Sequence, residues 1–207
     1  MPDRARHWDD AYRNKGSEGA SWYQPEPVTS LELIRLLDVP PSEAVIDIGG
    51  GTSFLVDRLV ESGLSDLSVL DVSEVALEEA RGRLKNQPNV TFIQHDVLTW
   101  RPSRRFGVWH DRAVFHFLTD EEDQSRYLAT MSESLEPDGG VVLGTFAEDG
   151  PERCSGLPVA RYSLTELAGL LGPGFAAVTT RREIHYTPSG ATQPFSWVAA
   201  KRSRSPE

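Results

Sequence analysis

A run of three glycines directly after a short apolar segment constrains the fold of this chain most. Ala44–Ile48 predicts a buried strand, Gly49-Gly50-Gly51 follows it, and residues 53–62 are typical of a helix that ends at Gly63. Glycine has no Cβ, so a backbone made of it can approach a ligand closely. The pattern predicts a strand–turn–helix unit with a ligand at its turn, and a tight turn without a ligand is the simpler interpretation.

The alternation of strand and helix continues along the chain. Helices are predicted over 31–37, 73–85, 120–135 and 163–171, and further strands over 67–71, 90–95, 106–110 and 141–146. Residues 137–140 predict a turn and residues 147–160 a long loop. The strands predicted over 175–184 and 195–200 have no helix between them, so they are expected to pair as a hairpin. The pattern indicates an α/β fold with a mostly parallel sheet.

Composition limits the partners that the chain is expected to have. Its 207 residues include 21 Lys and Arg against 31 Asp and Glu, which gives a formal net charge of −10. A negative surface repels phosphate backbones, so no nucleic-acid partner is expected. No apolar run reaches the ~20 residues of a membrane span. The single cysteine, Cys154, cannot form an internal disulfide and suits the cytoplasm, and no metal site is expected.

Two acids follow the next two predicted strands. Asp71 ends the second strand, 20 residues after Gly51, and Asp96 follows the third. In a parallel sheet these ends lie side by side, where ligands bind. Asp71 could accept both hydrogens of a ribose diol, and Asp96 could accept from an adenine amino group while Val97 offers its backbone N–H. Either acid alone is more often a cap or a turn residue, but together with the glycines they predict an adenosine site.

A dinucleotide cofactor fits this pattern less well. The G-x-G-x-x-G fingerprint would place Gly49 and Gly51 at its first two glycines, and its third position falls on Phe54. A side chain of that size blocks the close helix–strand packing that the third glycine permits.

The motifs together resemble the class I S-adenosylmethionine-dependent methyltransferases over about residues 40–200. The segment from Asp47 to Gly51 resembles the first motif of that superfamily, Asp71 the second and Asp96 the third, and residues 135–140 resemble its L-x-P-G-G turn. The resemblance implies a single Rossmann-like domain over 1–207 with a seven-stranded, mostly parallel sheet in the order 3-2-1-4-5-7-6 and a C-terminal antiparallel hairpin. Residues 1–28 would form a lid segment, 40–200 the core and 201–207 a tail.

The resemblance also implies S-adenosylmethionine as the cofactor. Aromatic residues near the N-terminus could cover its sulfonium through cation–π contact, and a small satellite core is the simpler role for them. The residues expected to bind the cofactor are Trp8, Tyr12, Trp22, Asp47, Gly49, Gly50, Gly51, Asp71, Val72, Asp96 and Val97.

The end of the fourth predicted strand is where this superfamily orients its acceptor. The segment from Trp109 to Ala113 resembles the W-D-R-G segment of thiopurine S-methyltransferases, with His110 added before the acid and Ala113 in place of the glycine. Asp111, His110 and His116 are the candidate bases, and Arg112 could hold a thiolate. Simpler roles are an ion pair for Arg112 and packing for the two histidines.

The predicted function is methyl transfer to a small-molecule nucleophile, with a thiol or related chalcogen favoured. Two alternatives stay open. One is a protein lysine methyltransferase, because Thr52-Ser53 after the glycines resembles the first motif of that branch. The other is a non-catalytic module that binds S-adenosylmethionine. The expected partner is a small-molecule acceptor, with no nucleic acid and no membrane, and a monomer is compatible with the sequence.

Overall fold

The computed structural model describes residues 4–203 of the chain. Its helices are α1 (Arg4–Lys15), α2 (Val28–Leu36), α3 (Leu55–Glu61), α4 (Glu74–Arg83), α5 (Glu121–Ser134) and α6 (Leu164–Leu170), with a 3-10 turn at Phe115–Phe117. Its strands are β1 (Ala44–Ile48), β2 (Asp66–Asp71), β3 (Val90–Gln94), β4 (Phe106–Arg112), β5 (Leu135–Phe146), β6 (Arg153–Cys154), β7 (Leu157–Pro158), β8 (Phe175–Tyr186) and β9 (Thr192–Arg202). Among these described helices, none has the length and apolar character to cross a bilayer.

Seven strands form one sheet in the order β3-β2-β1-β4-β5-β9-β8. The first five in that order are parallel, β9 runs antiparallel to β5, and β8 pairs with β9 as a hairpin. The remaining strands, β6 and β7, form a separate two-stranded hairpin. The predicted fold class and strand order are therefore confirmed.

The sheet is covered on both faces because its central strands are apolar on both sides. All five residues of β1 are buried. Val45 packs in a cluster with α2, α3 and α4, whereas Ile46 and Ile48 pack in a second cluster with α5 and α6. Side chains of one strand alternate between the faces, so a continuous apolar run needs helices on each of them.

The turn after β1 has a backbone that favours glycine. Gly49 has φ +63° and Gly51 has φ +46°, both in the left-handed region. A Cβ on Gly49 would collide with the side chain of Val114, and one on Gly51 would collide with the hydroxyl of Tyr12. The amide of Gly49 donates to the carbonyl of Leu70 at 2.6 Å, which joins the turn to the end of β2. The glycines therefore let α1 and the residues after β4 lie directly on this turn.

Two predicted boundaries were wrong near the site. Helix α2 begins at Val28, three residues before the predicted start, because Pro27 precedes it and the amide of Leu31 donates to the Pro27 carbonyl at 3.1 Å. Strand β4 continues to Arg112 instead of ending at His110, because Asp111 and Arg112 still pair with β5.

The predicted tail was also wrong at its start. Lys201 and Arg202 belong to β9, where Lys201 pairs with Gly140 of β5. The guanidinium of Arg202 donates to the Leu135 carbonyl at 3.1 Å, which ties the strand end to β5. Residues 204–207 of the predicted tail lie outside the described residues.

Two segments predicted as irregular contain strand structure. Residues 137–140, predicted as a turn, lie within β5, where the pairing register with β4 shifts between Phe106 and Val108. The predicted loop 147–160 contains the β6–β7 hairpin. Its turn residues Ser155 and Gly156 both have positive φ, as a two-residue type I′ connection requires.

A buried chain of hydrogen bonds ties α5 to β4. The indole of Trp109 donates to the Tyr127 hydroxyl at 2.8 Å, and that hydroxyl donates to the carboxylate of Asp111. The same carboxylate accepts from the amides of Val114 at 2.8 Å and Phe115 at 3.0 Å. Because all these groups are buried or half-buried, the chain fixes the backbone that follows β4.

We expect Tyr127→Phe to lower the free energy of unfolding by about 2–4 kcal/mol, because it removes a hydrogen bond to a carboxylate and leaves the buried Trp109 indole without its acceptor. Urea unfolding at constant pH measures this loss. Tyr162→Phe is the matched control, since Tyr162 packs on the same aromatic cluster but is only half-buried. Equal stability of the two variants would contradict a structural role for the chain.

Candidate active site

A cavity of about 160 Å³ opens at the carboxyl ends of β1, β2 and β4. Parallel α/β sheets bind ligands at this edge, because strands and loops converge there without crossing the core. The cavity is lined by Arg4, Trp8, Tyr12, Trp22, Ile48, Gly49, Leu70, Asp71, Val72, His95, Asp96, Val97, Arg112, Ala113, Val114, Phe117, Leu118, Cys154 and Leu157.

Asp71 presents a buried carboxylate at one end of this cavity. One of its oxygens accepts from the amide of Ser73 at 2.8 Å, and the other lies beside Gly51. Burial raises the pKa of Asp71 to about 7, and the charges of Asp47 and Asp9 add to the effect. A ligand that donates hydrogen bonds to this carboxylate would favour its ionised form.

Asp96 and Val97 lie on the same side of the cavity, in the turn after β3. The carboxylate of Asp96 accepts from the amide of Leu98 at 2.9 Å, which fixes the turn. Val97 is buried and lines the cavity. The structure thus brings Asp71, Val72, Asp96 and Val97 together as expected for groups that would face a nucleoside.

Three aromatic residues of the N-terminal segment form one wall. Trp8 lies edge-on against Trp22 at a ring-centroid distance of 5.7 Å and against Phe117 at 4.9 Å, while Tyr12 meets Trp22 at 5.6 Å. Trp8 and Tyr12 lie four residues apart on helix α1, which brings both rings to the cavity.

Helix α1 is attached to the core by polar contacts. The guanidinium of Arg4 bridges Asp96 at 3.1 Å and Asp123 at 2.9 Å. The carboxylate of Asp9 accepts from the Ser73 hydroxyl at 2.7 Å and from the Val75 amide at 3.3 Å, at the start of α4. These ion pairs and hydrogen bonds are partly exposed to solvent, so each of them stabilises the position of the helix only modestly.

Asp47 lies beneath the glycine turn. Its carboxylate is 2.7 Å from Nδ1 of His110, and Nε2 of His110 is 2.9 Å from the Ser30 hydroxyl. A Cβ on Gly50 would meet Asp47 at 2.6 Å, so this carboxylate supports the turn directly. Asp47, His110, Gly49 and Gly50 line a second, smaller cavity of about 50 Å³ beside the first.

Asp111 and His116, two of the candidate bases, line neither of these two cavities. Asp111 is fully buried and accepts from Val114, Phe115 and Tyr127; burial raises its pKa to about 6. His116 is also buried, and burial together with the nearby charge of Arg112 lowers its pKa to about 3. His116 is therefore neutral at physiological pH.

Arg112 is the candidate catalytic residue that lines both cavities. One terminal nitrogen, Nη1, donates to the Trp22 carbonyl at 2.9 Å, and the guanidinium lies 4.7 Å from the centroid of the Phe195 ring. Burial lowers the pKa of Arg112 to about 10, which leaves it charged at neutral pH. In the part of the chain described, its Nε and Nη2 are buried without a hydrogen-bond partner.

Several lining residues were not among the site residues expected from the sequence. Val114, Phe117 and Leu118 follow β4, and Cys154 and Leu157 belong to the β6–β7 hairpin. The Ser155-Gly156 pair is a turn signal that could have indicated this hairpin. These lining residues make their part of the cavity wall apolar, and Arg112 is the charged residue next to them.

Comparisons with known proteins agree with this geometry. Residues 45–139 match a family described as a methyltransferase domain. The eEF1A lysine and N-terminal methyltransferase of Mus musculus is 30% identical over 154 residues, which cover 70% of this chain and 22% of that protein. The chain therefore spans about a fifth of the length of this curated relative.

Two solved structures share the fold over nearly the whole chain. The 1,6-didemethyltoxoflavin-N1-methyltransferase of Burkholderia thailandensis, with its substrate and S-adenosylhomocysteine bound, has a TM-score of 0.72 at 21% identity and covers 96% of this chain and 84% of its own. The N-methyltransferase NodS of Bradyrhizobium japonicum WM9, in complex with S-adenosylhomocysteine, has a TM-score of 0.73 at 16% identity. The match covers 94% of this chain and 97% of NodS. These likenesses show that the chain has the methyltransferase fold, and together with the family match over residues 45–139 they support S-adenosylmethionine as the cofactor and methyl transfer as the activity.

Proposed function

We propose that the chain methylates a small molecule, and that a thiolate or related chalcogen is its nucleophile. The observation that carries this proposal is the acceptor side of the cavity, which combines apolar walls with the charged Arg112, while the candidate bases Asp111 and His116 are buried elsewhere. A thiol has a pKa of about 8.5 and can arrive ionised, so it needs no base in the site. The likeness of residues 109–113 to thiopurine S-methyltransferases supports the same choice.

The residues of the cavity fit the implied cofactor. Gly49 lines the cavity without a side chain of its own, beside the hydrogen-bond acceptors Asp71 and Asp96, so a nucleoside could lie against its backbone. We propose that Asp71 and Val72 hold the ribose and that Asp96 and Val97 hold the adenine. When bound, S-adenosylmethionine supplies an electrophilic methyl group on a positively charged sulfur.

The chain's own contribution is alignment and exclusion of water. Trp8, Tyr12 and Trp22 close one side, where their rings can face a cation. Transfer to a thiolate moves no proton, so these walls need only to orient the nucleophile and remove its water. The charge of Arg112 favours an anionic nucleophile over an ammonium. We also propose a single domain over 1–207 and a cytoplasmic location, which suits the free thiol of Cys154.

Protein lysine methylation is the second candidate. The name of the mouse relative describes action on the lysine and N-terminus of eEF1A, whereas the Burkholderia structure has a small molecule bound. The positive charge of Arg112 disfavours an incoming ammonium, so the small-molecule acceptor is preferred. A non-catalytic binding module is the third alternative.

Methyl transfer to thiols is the expected result when the purified chain is incubated with methyl-tritiated S-adenosylmethionine. Small thiols, amines, alcohols and a protein lysate are tested side by side, with Asp71→Asn as the cofactor-deficient control. Label confined to a protein band would favour lysine methylation. Label in none of the acceptors, despite tight cofactor binding, would favour a binding module.

Asp71→Asn is expected to weaken binding of S-adenosylhomocysteine roughly 10- to 100-fold. The hydrogen bonds that ribose hydroxyls donate to a carboxylate are stronger than those they donate to a neutral amide. The pKa of Asp71 is about 7, so in the parent the affinity should rise as the pH increases from 6 to 8 and the carboxylate ionises.

Calorimetry at several pH values measures both effects of this substitution. Asp66→Asn is the matched control, because Asp66 lies at the other end of β2 and pairs with Arg104. An unchanged affinity of Asp71→Asn would exclude the proposed position of the ribose.

Helix α1 is expected to exchange its amide hydrogens more slowly when S-adenosylhomocysteine is bound. Its attachment through Arg4 and Asp9 is polar and partly exposed, so it can open locally, and a ligand held beneath Trp8 and Tyr12 would oppose that opening. Hydrogen exchange with mass spectrometry tests this, with α6 as the reference because none of its residues lines the cavity. Equal protection with and without ligand would mean that residues 4–15 form a fixed wall.

A further inference from the structure

Arg112 is held in one orientation by two contacts that leave one edge of its guanidinium free. The Trp22 carbonyl accepts from Nη1 at 2.9 Å, and the Phe195 ring lies 4.7 Å from the guanidinium carbon. Nε and Nη2, which form the other edge, are buried and have no hydrogen-bond partner among residues 4–203. Buried donors of a charged group are costly to leave unpaired, so this edge is suited to an incoming acceptor.

Glu183, the acid with the largest effect on the pKa of Arg112, forms no hydrogen bond with that edge. Both carboxylate oxygens of Glu183 already accept hydrogen bonds, one from the Trp197 indole at 2.7 Å and one from the Gln24 amide at 3.2 Å. The negative charge of Glu183 therefore favours the charged form of Arg112 without a direct hydrogen bond between them. Its oxygens accept from Trp197 and Gln24 instead. The two histidines near Arg112, His116 and His185, both have pKa values lowered by burial, so they add no charge of their own at neutral pH.

Arg112 itself lines the cavity, so a ligand bound there lies next to its guanidinium. The groups that interact electrostatically with Arg112 include Cys154 on β6 and Glu183 and His185 on β8. Strand β8 lies beyond β4 in the seven-stranded sheet, whereas Asp71 and Asp96 follow β2 and β3 on the opposite side of β4. A ligand group at this edge would be separated from a nucleoside held by the two acids.

We propose that Nε and Nη2 of Arg112 bind a carboxylate of the methyl acceptor. This inference rests on the proposed function and names its substrate class: small molecules that carry a carboxylate in addition to the nucleophile. Two parallel N–H groups in one plane match the two oxygens of a carboxylate, whereas a thiolate offers a single atom. Arg112 is thereby a specificity-determining residue that orients the acceptor by its acid group.

The test measures binding separately from turnover. Protein loaded with S-adenosylhomocysteine is titrated with 3-mercaptopropionate and 4-mercaptobenzoate, each compared with its neutral amide. The parent is expected to bind at least one acid roughly 10- to 100-fold more tightly than its amide, the range expected for hydrogen bonds to a charged group. Arg112→Lys keeps the positive charge but lacks the planar pair of donors, so the ratio of acid affinity to amide affinity should fall. Arg112→Met removes the charge as well, so the acid and the amide should bind equally.

The control substitution is Arg182→Lys. Arg182 is exposed on β8 and pairs with Glu148 and Asp149 away from the cavity, so its replacement should leave the preference unchanged. Because Arg112 also holds the Trp22 carbonyl, urea unfolding and S-adenosylhomocysteine affinity are measured for each variant, and the acid-to-amide ratio within one protein cancels a general loss of binding.

Two results would overturn the inference. One is equal binding of acids and amides by the parent. The other is loss of affinity for S-adenosylhomocysteine in Arg112→Lys or Arg112→Met, while the affinity for 5′-methylthioadenosine is unchanged. Because 5′-methylthioadenosine lacks the amino-acid group, that result would mean that the free edge binds the carboxylate of the cofactor and not that of the acceptor. Selective binding of the acids without methylation of their thiols would leave the carboxylate subsite intact and contradict only the proposed sulfur nucleophile.

Discussion

The carboxylate of Asp111 holds the acceptor side of the cavity in place. It accepts from the Tyr127 hydroxyl on α5 and from the amides of Val114 and Phe115 in the turn after β4. Val114 in turn occupies the space that a side chain on Gly49 would need. One buried acid thereby sets the distance between the glycine turn and the opposite wall, and its raised pKa reflects the cost of burying it there.

The two ends of the cavity differ in charge. Asp71 and Asp96, the latter paired with Arg4, lie at one end and Arg112 at the other, with aromatic and apolar side chains between them. A positively charged sulfur is stabilised by rings and by nearby acids, whereas an anionic acceptor is stabilised by the guanidinium. Under the proposed function, this difference in charge favours one orientation of the cofactor and the acceptor over the reverse.

The position of the two acids at one edge of the sheet could be predicted from the sequence because it depends on strand ends. Asp71 and Asp96 each follow an apolar run, and parallel strand ends meet at one edge whatever the details of packing. The acceptor side depended on features that the sequence does not show directly. Strand β4 was predicted to end at His110, yet it continues to Arg112, so strict alternation places Arg112 on the face of His110 and turns Asp111 to the other face.

Other parts of the site needed contacts between distant residues. The attachment of α1 through Arg4 to Asp96 and Asp123 joins positions 92 and 119 residues apart, which no local pattern indicates. The β5 register shift likewise depends on how Phe106 and Val108 meet their partners. The start of α6 near residue 163, by contrast, was predicted correctly, because the capping box of Ser163 and Glu166 that begins the helix depends only on local hydrogen bonds.

The β6–β7 hairpin has a consequence for how such an enzyme can diverge. It contributes Cys154 and Leu157 to the acceptor wall but pairs only with itself, outside the seven-stranded sheet. Its exchange for a longer or shorter insertion would leave β5, the glycine turn, Asp71 and Asp96 unchanged. Descendants of one ancestral sequence can therefore acquire new acceptors by remodelling this insertion, while the cofactor half of the molecule stays under separate constraint.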